Sequence, residues 1–276
     1  MRVPNFLLTA LAIVVALWIA MIAIVWAVQE RMVWLPPRVR VAEPAGVARV
    51  DFTTPDGQRL FYYRVASAAP SDSAPIVLAF HGNADLASLQ VPWARELVER
   101  TDAIVVLAEY RGYAGLPGRP TYAGSRADAL ATWREVERRE RGAASRALFL
   151  GHSLGSAVAA ELASEVAPRA LLLESPFISA RALAARMPFP GVTLLWNAIA
   201  RVRFDTRARV AALDVPVWVA HGDADPVIPV AMGREVHAAA RRRGALAIVP
   251  GAGHNDLREH PAYWEWLERA VRGVTV

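Results

Sequence analysis

Three short stretches carry residues suited to acyl-transfer chemistry: GHSLG (151–155), HGDAD (221–225) and GAGHND (251–256). Ser153 lies in a G-x-S-x-G pattern, which is weak alone because glycine and serine are common in turns. Its context is more informative: ALFL precedes the motif and SAVAAELA follows it, a strand-like run and then a helix-like one. A sharp strand-to-helix turn lifts a serine hydroxyl above the edge of a sheet, and Gly151 and Gly155 allow the tight packing such a turn needs. Ser153 is therefore expected to be a nucleophile, with a plain glycine-rich turn as the alternative.

A serine hydroxyl is a poor nucleophile at neutral pH without a base in hydrogen-bond reach. The chain has six histidines. His237 lies in a charged helical stretch and His260 at a helix start, so both read as surface residues. His152 is inside the elbow, where its backbone is expected to matter more than its ring. His81 and His221 each follow an apolar run and precede glycine, which suits turn-shaping. His254, on a glycine-bracketed loop after the last strand-like run, is the expected base. Asp225, stiffened by Pro226 after the penultimate run, is expected to orient it; Asp223 and Glu174 are the alternative carboxylates. The order Ser153, Asp225, His254 suits this kind of elbow. The oxyanion would be held by the backbone N–H of Leu154 and by the HGNA loop, with Asn83 ahead of Ala84 as donor.

These residues must be positioned by the elements before them. IVLAF (76–80), AIVVLA (103–108), ALFLG (147–151), ALLLE (170–174), VPVWVA (215–220) and ALAIVP (245–250) are short apolar runs of the kind buried on both faces of a parallel sheet. Helical patterns separate them near 91–99, 123–140, 154–166 and 230–242, and a last helix starts near 261. VDFTT and RLFYYRVA flank the turn PDG and predict a leading antiparallel hairpin. The expected class is α/β: a mostly parallel central sheet with helices on both faces, its site beyond the carboxyl ends of the strands.

Ahead of this domain, Phe6–Val28 carries no charge over 23 residues. That is roughly 35 Å of helix, enough for a hydrocarbon core of about 30 Å. A cleaved signal peptide would have an apolar region of about 7 to 15 residues, so an uncleaved transmembrane anchor over 1–30 is expected. Glu30, Arg31 and Trp34 read as its interfacial exit, 31–48 as a proline-rich linker and 49–276 as the domain. The localisation implied is a single-pass membrane protein. Arg31, Arg38 and Arg40 against Arg2 favour a cytoplasmic domain only weakly, and the side of the membrane stays open.

Net charge is +5 with no lysine, and the 31 arginines are offset by 26 acids. Groups such as Arg138, Arg139 and Arg141, or Arg241, Arg242 and Arg243, fall on helix-like stretches without interleaved aromatics. They read as solvated faces, and no nucleic-acid partner is expected. The lack of cysteine excludes disulfides.

Taken together, HGNAD, EYRGYAGLPGRP, GHSLGS, LLLESPF, HGDADPVIP and GAGHND resemble the α/β-hydrolase fold serine hydrolases over about 50–272. The resemblance is to the Bem46-like group, with similarity also to membrane-associated acyl-protein thioesterases. Two positions depart from the family pattern: Glu109 replaces the usual aspartate before YRGY, and Ala114 replaces a glycine after it. The resemblance implies ester or thioester hydrolysis, often of acyl chains, through an acyl-enzyme and without metal or organic cofactor. Small-molecule, lipid or acylated-protein substrates follow; a peptidase or amidase, or a non-catalytic binding protein, are the alternatives. Segment 176–212 reads as a small cap. Phe189 and Trp196 are its candidate substrate-binding residues, and Arg201, Arg203, Arg207 and Arg209 are candidates for anionic headgroups if the cap is a lid rather than a packed helix.

Overall fold

A computed structural model of the chain describes residues 5–39, 41–186 and 196–273. Eight strands form one sheet: β1 (Ala48–Thr53), β2 (Arg59–Val65), β3 (Ile76–Phe80), β4 (Ile104–Ala108), β5 (Ala147–His152), β6 (Ala170–Glu174), β7 (Pro216–Gly222) and β8 (Arg242–Val249). Their order is β1-β2-β4-β3-β5-β6-β7-β8. The first two joints, β1 with β2 and β2 with β4, are antiparallel, and every later one is parallel.

Ten helices accompany the strands among the described residues. They are α1 (Asn5–Val33), α2 (Val91–Thr101), α3 (Tyr122–Arg139), α4 (Ala143–Arg146), α5 (Leu154–Glu165), α6 (Ala180–Ala184), α7 (Trp196–Ile199), α8 (Thr206–Ala212), α9 (Val230–Ala239) and α10 (Pro261–Arg272). Alternation along each strand divides the core in two. Ile76, Leu78 and Phe80 of β3 pack with Trp133 of α3, Val158 of α5 and Val236 of α9. Val77 and Ala79 face the other way, toward Leu97 of α2 and Leu267 of α10. Both faces are covered, which is why these strands are apolar at every position.

The strand order reverses at β3, because the chain moves to β4 on one side and returns to β5 on the other. Such a reversal opens a crevice at the carboxyl ends of the two strands. The HGNA loop leaves β3 there, and the GHSLG turn leaves β5.

Several expectations are corrected. Trp34 is not an interfacial residue: it is 3% exposed and part of the core. Its ring meets Tyr110, Phe204 and Tyr113 at 5.8, 6.3 and 6.5 Å. The start of the 31–48 linker is thus folded onto the domain. The helix expected to run to 242 ends at Ala239, since Ala240 is extended and Arg242 and Arg243 pair with Pro216 and Val217 in the sheet. The Arg241–Arg243 group therefore opens a strand rather than lying on a helix. In the cap, Arg207 and Arg209 are ion-paired with Glu235 and Glu161, and both arginine side chains remain exposed.

The helix α1 is long and apolar enough to cross a membrane, with a mean hydropathy of 2.9 over an 18-residue window in which no residue is buried. Its end touches the domain: Gln29 Nε2 donates to the Ile199 carbonyl, and Gln29 Oε1 accepts from the Arg201 amide.

Candidate active site

The turn after β5 places Ser153 at φ +53°, ψ −117°, a conformation costly for a residue with a side chain. The surroundings hold it there. A Cβ on Gly155 would lie 2.1 Å from the Phe80 carbonyl oxygen, and one on Gly151 would lie 2.1 Å from that of Gly155. The helix can approach the sheet this closely because both positions are glycine. The Ser153 amide donates to the Glu174 carbonyl at 2.9 Å, tying the turn to β6.

His254 reaches the same point from the loop after β8. Its Nε2 lies 2.9 Å from Ser153 Oγ, and its Nδ1 lies 2.7 Å from Asp225 Oδ2. The Asp225 loop is built from its own side chain: Oδ1 accepts from the Val227 and Ile228 amides, both at 2.8 Å. Ala224 N–H donates to the Ala252 carbonyl at 3.0 Å and joins the two loops. Burial works against the Asp225 carboxylate. Hydrogen bonds from His221, His254 and the Ile228 amide outweigh it and hold the carboxyl well below the usual range.

The remaining carboxylates are engaged elsewhere. Asp223 is exposed and accepts from the Gly251 amide at 2.7 Å. Glu174 is fully buried, bound to Arg258 Nη2 at 2.8 Å and to the Tyr263 hydroxyl at 2.5 Å.

A cavity of about 490 Å³ opens over the serine, lined among others by Gly82, Asn83, Ser153, Glu174, His254 and Arg258. Asn83 and Leu154 border Ser153 from the ends of β3 and β5. Among the described residues neither amide N–H has a protein acceptor, whereas the Ala84 amide donates to Asn83 Oδ1 at 3.0 Å. Leu154 also opens α5, where the helix dipole favours negative charge. Among the described residues no cluster of metal-ligating side chains occurs.

No protein-family model matches the chain. It is 34% identical over 259 residues to an uncharacterised protein of Mycobacterium tuberculosis, covering 90% of this chain and 88% of the other. It is 32% identical over 204 residues to the α/β-hydrolase domain-containing protein aho-3 of Caenorhabditis elegans, covering 73% of this chain and 59% of that one. Among solved structures, a Pyrococcus furiosus esterase superposes with a TM-score of 0.65 at 19% identity, covering 85% of this chain and 98% of the esterase. The chain has the α/β-hydrolase fold. In this fold Trp196 is half-buried at the start of α7 and, among the described residues, is not one of those lining the cavity. Phe189 lies outside the described residues.

Three side chains around the site have more partners than their motifs suggest. The His221 ring, expected to shape a turn, donates from Nε2 to the Ile228 carbonyl at 2.9 Å and lies 3.2 Å from Asp225 Oδ2. The His152 ring donates from Nε2 to the His254 carbonyl at 3.0 Å, so the ring matters as well as the backbone. Burial lowers the His152 pKa to about 4 against the opposing charge of Glu174. His81 is buried against Glu109, at 2.9 Å. Sequence carried a signal for the first of these, since HGDAD sets a histidine four residues before the aspartate.

Proposed function

We propose that this α/β-hydrolase is a membrane-anchored serine hydrolase that cleaves carboxylic esters or thioesters, within the Bem46-like group. The observation that carries the reading is the continuous chain Ser153 Oγ, His254, Asp225, at 2.9 and 2.7 Å, beside two amides without acceptors.

In this reading His254 Nε2 takes the proton of Ser153 as Oγ attacks the substrate carbonyl carbon. The Asn83 and Leu154 amides receive the oxyanion. Collapse of the tetrahedral adduct expels the alcohol or thiol, which takes the proton from His254 and leaves an acyl-serine. Water then attacks with His254 again as base, releasing the carboxylic acid and restoring Ser153. Asp225, kept ionised, orients His254 and offsets its charge when protonated.

The anchor would be α1. Its exposed apolar surface and its contacts with the domain through Gln29 support retention of the helix beside the cap. Arg201 lies over the Trp26 ring at 5.2 Å, which puts a cation at the end of the apolar run, where headgroups would be. Lipids or acylated proteins would then be at high local concentration.

The test is labelling of the full chain in detergent with a fluorophosphonate probe, followed by p-nitrophenyl esters, thioesters and anilides of increasing chain length. Wild type is expected to label and Ser153→Ala not to. A folded wild type that does not label rejects the reading. Preference for acetate over longer acyl groups rejects an acyl-chain substrate, and faster anilide cleavage favours an amidase.

A further inference from the structure

The Asn83 carboxamide has four hydrogen-bond partners, and half of them lie in the segment leaving α1. Its Nδ2 donates to the Val33 carbonyl, while Oδ1 accepts from the Leu35 amide at 2.9 Å, the Tyr113 hydroxyl at 3.0 Å and the Ala84 amide at 3.0 Å. Val33 and Leu35 are some fifty residues away from Asn83 in sequence. Trp34, between them, is buried against Tyr110 and Tyr113. Those two tyrosines hold the same loop, because the Tyr110 hydroxyl donates to the His81 carbonyl at 3.0 Å. The HGNA loop is thus clamped from two sides, by the YRGY segment and by Val33–Leu35.

We propose that Asn83 is a positioning residue which makes the juxtamembrane segment Val33–Leu35 part of the oxyanion site: its side chain ties that segment to the loop whose own amide receives the oxyanion. This rests on the serine-hydrolase reading above. The physical requirement is that an oxyanion donor be fixed before charge develops; a donor free to drift must be reorganised in each turnover. The Asn83 amide and carboxamide share one Cα, so holding the carboxamide at two backbone groups limits rotation of the loop. The exit from the membrane helix and the transition-state site then move as one body. Loosening the first is felt as slower acylation rather than weaker substrate binding.

The amide of Leu35 offers a selective test, since its side chain is exposed and Pro36 and Pro37 follow it. Leu35→Pro and Leu35→Ala lose the same side chain, and only the first loses the N–H that reaches Asn83. In full-length protein in detergent, turnover of a p-nitrophenyl ester by Leu35→Pro is expected about tenfold below that of Leu35→Ala, with KM within twofold. Tyr113→Phe, which removes one hydroxyl and keeps the ring, is expected to lower kcat by about threefold in the same manner. In an Asn83→Ala background, Leu35→Pro is expected to have no further effect on kcat.

Equal kcat for the two Leu35 variants overturns the proposal, whatever the value for Tyr113→Phe. So does full additivity of Leu35→Pro with Asn83→Ala, or a change confined to KM. If Leu35→Pro does not fold, judged by its melting transition, Asn83→Ala, which removes both side-chain links to Val33 and Leu35, decides: a kcat at the wild-type value overturns the proposal. A wild type that neither labels with fluorophosphonate nor turns over ester overturns the serine-hydrolase reading, and this inference with it.

Discussion

His221 Nε2 stands 3.2 Å from Asp225 Oδ2, the same oxygen that His254 Nδ1 reaches at 2.7 Å. Because His221 Nε2 also bonds the Ile228 carbonyl, it must carry a proton, and a buried carboxylate receives donors from two imidazoles. The carboxylate keeps its charge despite burial, and its hydrogen bond to Nδ1 leaves Nε2 of His254 free to accept from Ser153.

Asp225→Asn keeps the shape of this group and removes its charge. The amide can donate to Nδ1 and so turn the His254 tautomer the wrong way round. The expected loss is about 10⁴-fold in kcat with the fold intact, measured by steady-state ester hydrolysis beside the melting transition. His221→Phe instead leaves the Ile228 carbonyl and one face of Asp225 without a donor. It is expected to cost about 1–3 kcal/mol of stability, read by denaturant unfolding. A kcat for Asp225→Asn within tenfold of wild type would mean that another carboxylate orients His254.

A second prediction concerns His152. Burial holds its pKa at about 4, below the 6.5 of an unhindered imidazole, so the unfolded chain binds a proton that the folded one refuses. Stability from this site is therefore complete above about pH 6.5 and declines as pH falls toward 4. His152→Gln retains an N–H for the His254 carbonyl and does not titrate. The melting temperature of wild type is expected to drop more steeply than that of His152→Gln between pH 6.5 and 4. Parallel curves would show that His152 takes up its proton without penalty in the folded state.

The alternation of apolar runs with helical patterns was enough to read the sheet and both helical layers, because parallel strands covered on both faces leave an unmistakable apolar signature. The strand–turn–helix around Ser153 was legible for a similar local reason. What sequence did not reveal depends on distant partners. Trp34 follows a long apolar run and precedes two prolines, which reads as a membrane interface; its burial is decided by Tyr110, Tyr113 and Phe204, all remote in sequence. HAAARRR continues a helical pattern, and the competing pull of β7 on Arg242 and Arg243 ends it early. Asn83 was read for its amide, and nothing near it in sequence announces that its side chain reaches back to Val33 and Leu35.

The last prediction separates Glu174 from Asp225, two of the three carboxylates that sequence left in competition. Glu174 ends an otherwise apolar strand and is fully buried, so its charge needs a partner. Arg258 supplies one at 2.8 Å, stacks on Trp93 at 4.2 Å, and shares the carboxylate with Tyr263. Tyr263 in turn accepts from the Trp93 indole at 2.9 Å, closing a ring of contacts that joins β6, α2 and α10 at the edge of the cavity. Glu174→Gln breaks this ring from one side and leaves the Arg258 guanidinium without its counter-charge. Removing one partner of such a pair costs about 3–5 kcal/mol, which for a domain of this size lowers the melting temperature by roughly 10 °C. The Glu174 side chain bonds Arg258 and Tyr263 and none of Ser153, His254 or Asp225, so residual kcat of the folded fraction is expected to stay within about tenfold of wild type. Differential scanning calorimetry together with active-site titration by a fluorophosphonate gives both quantities on one sample. A Glu174→Gln protein that melts like wild type but loses activity by the factor expected for Asp225→Asn would reverse the two assignments.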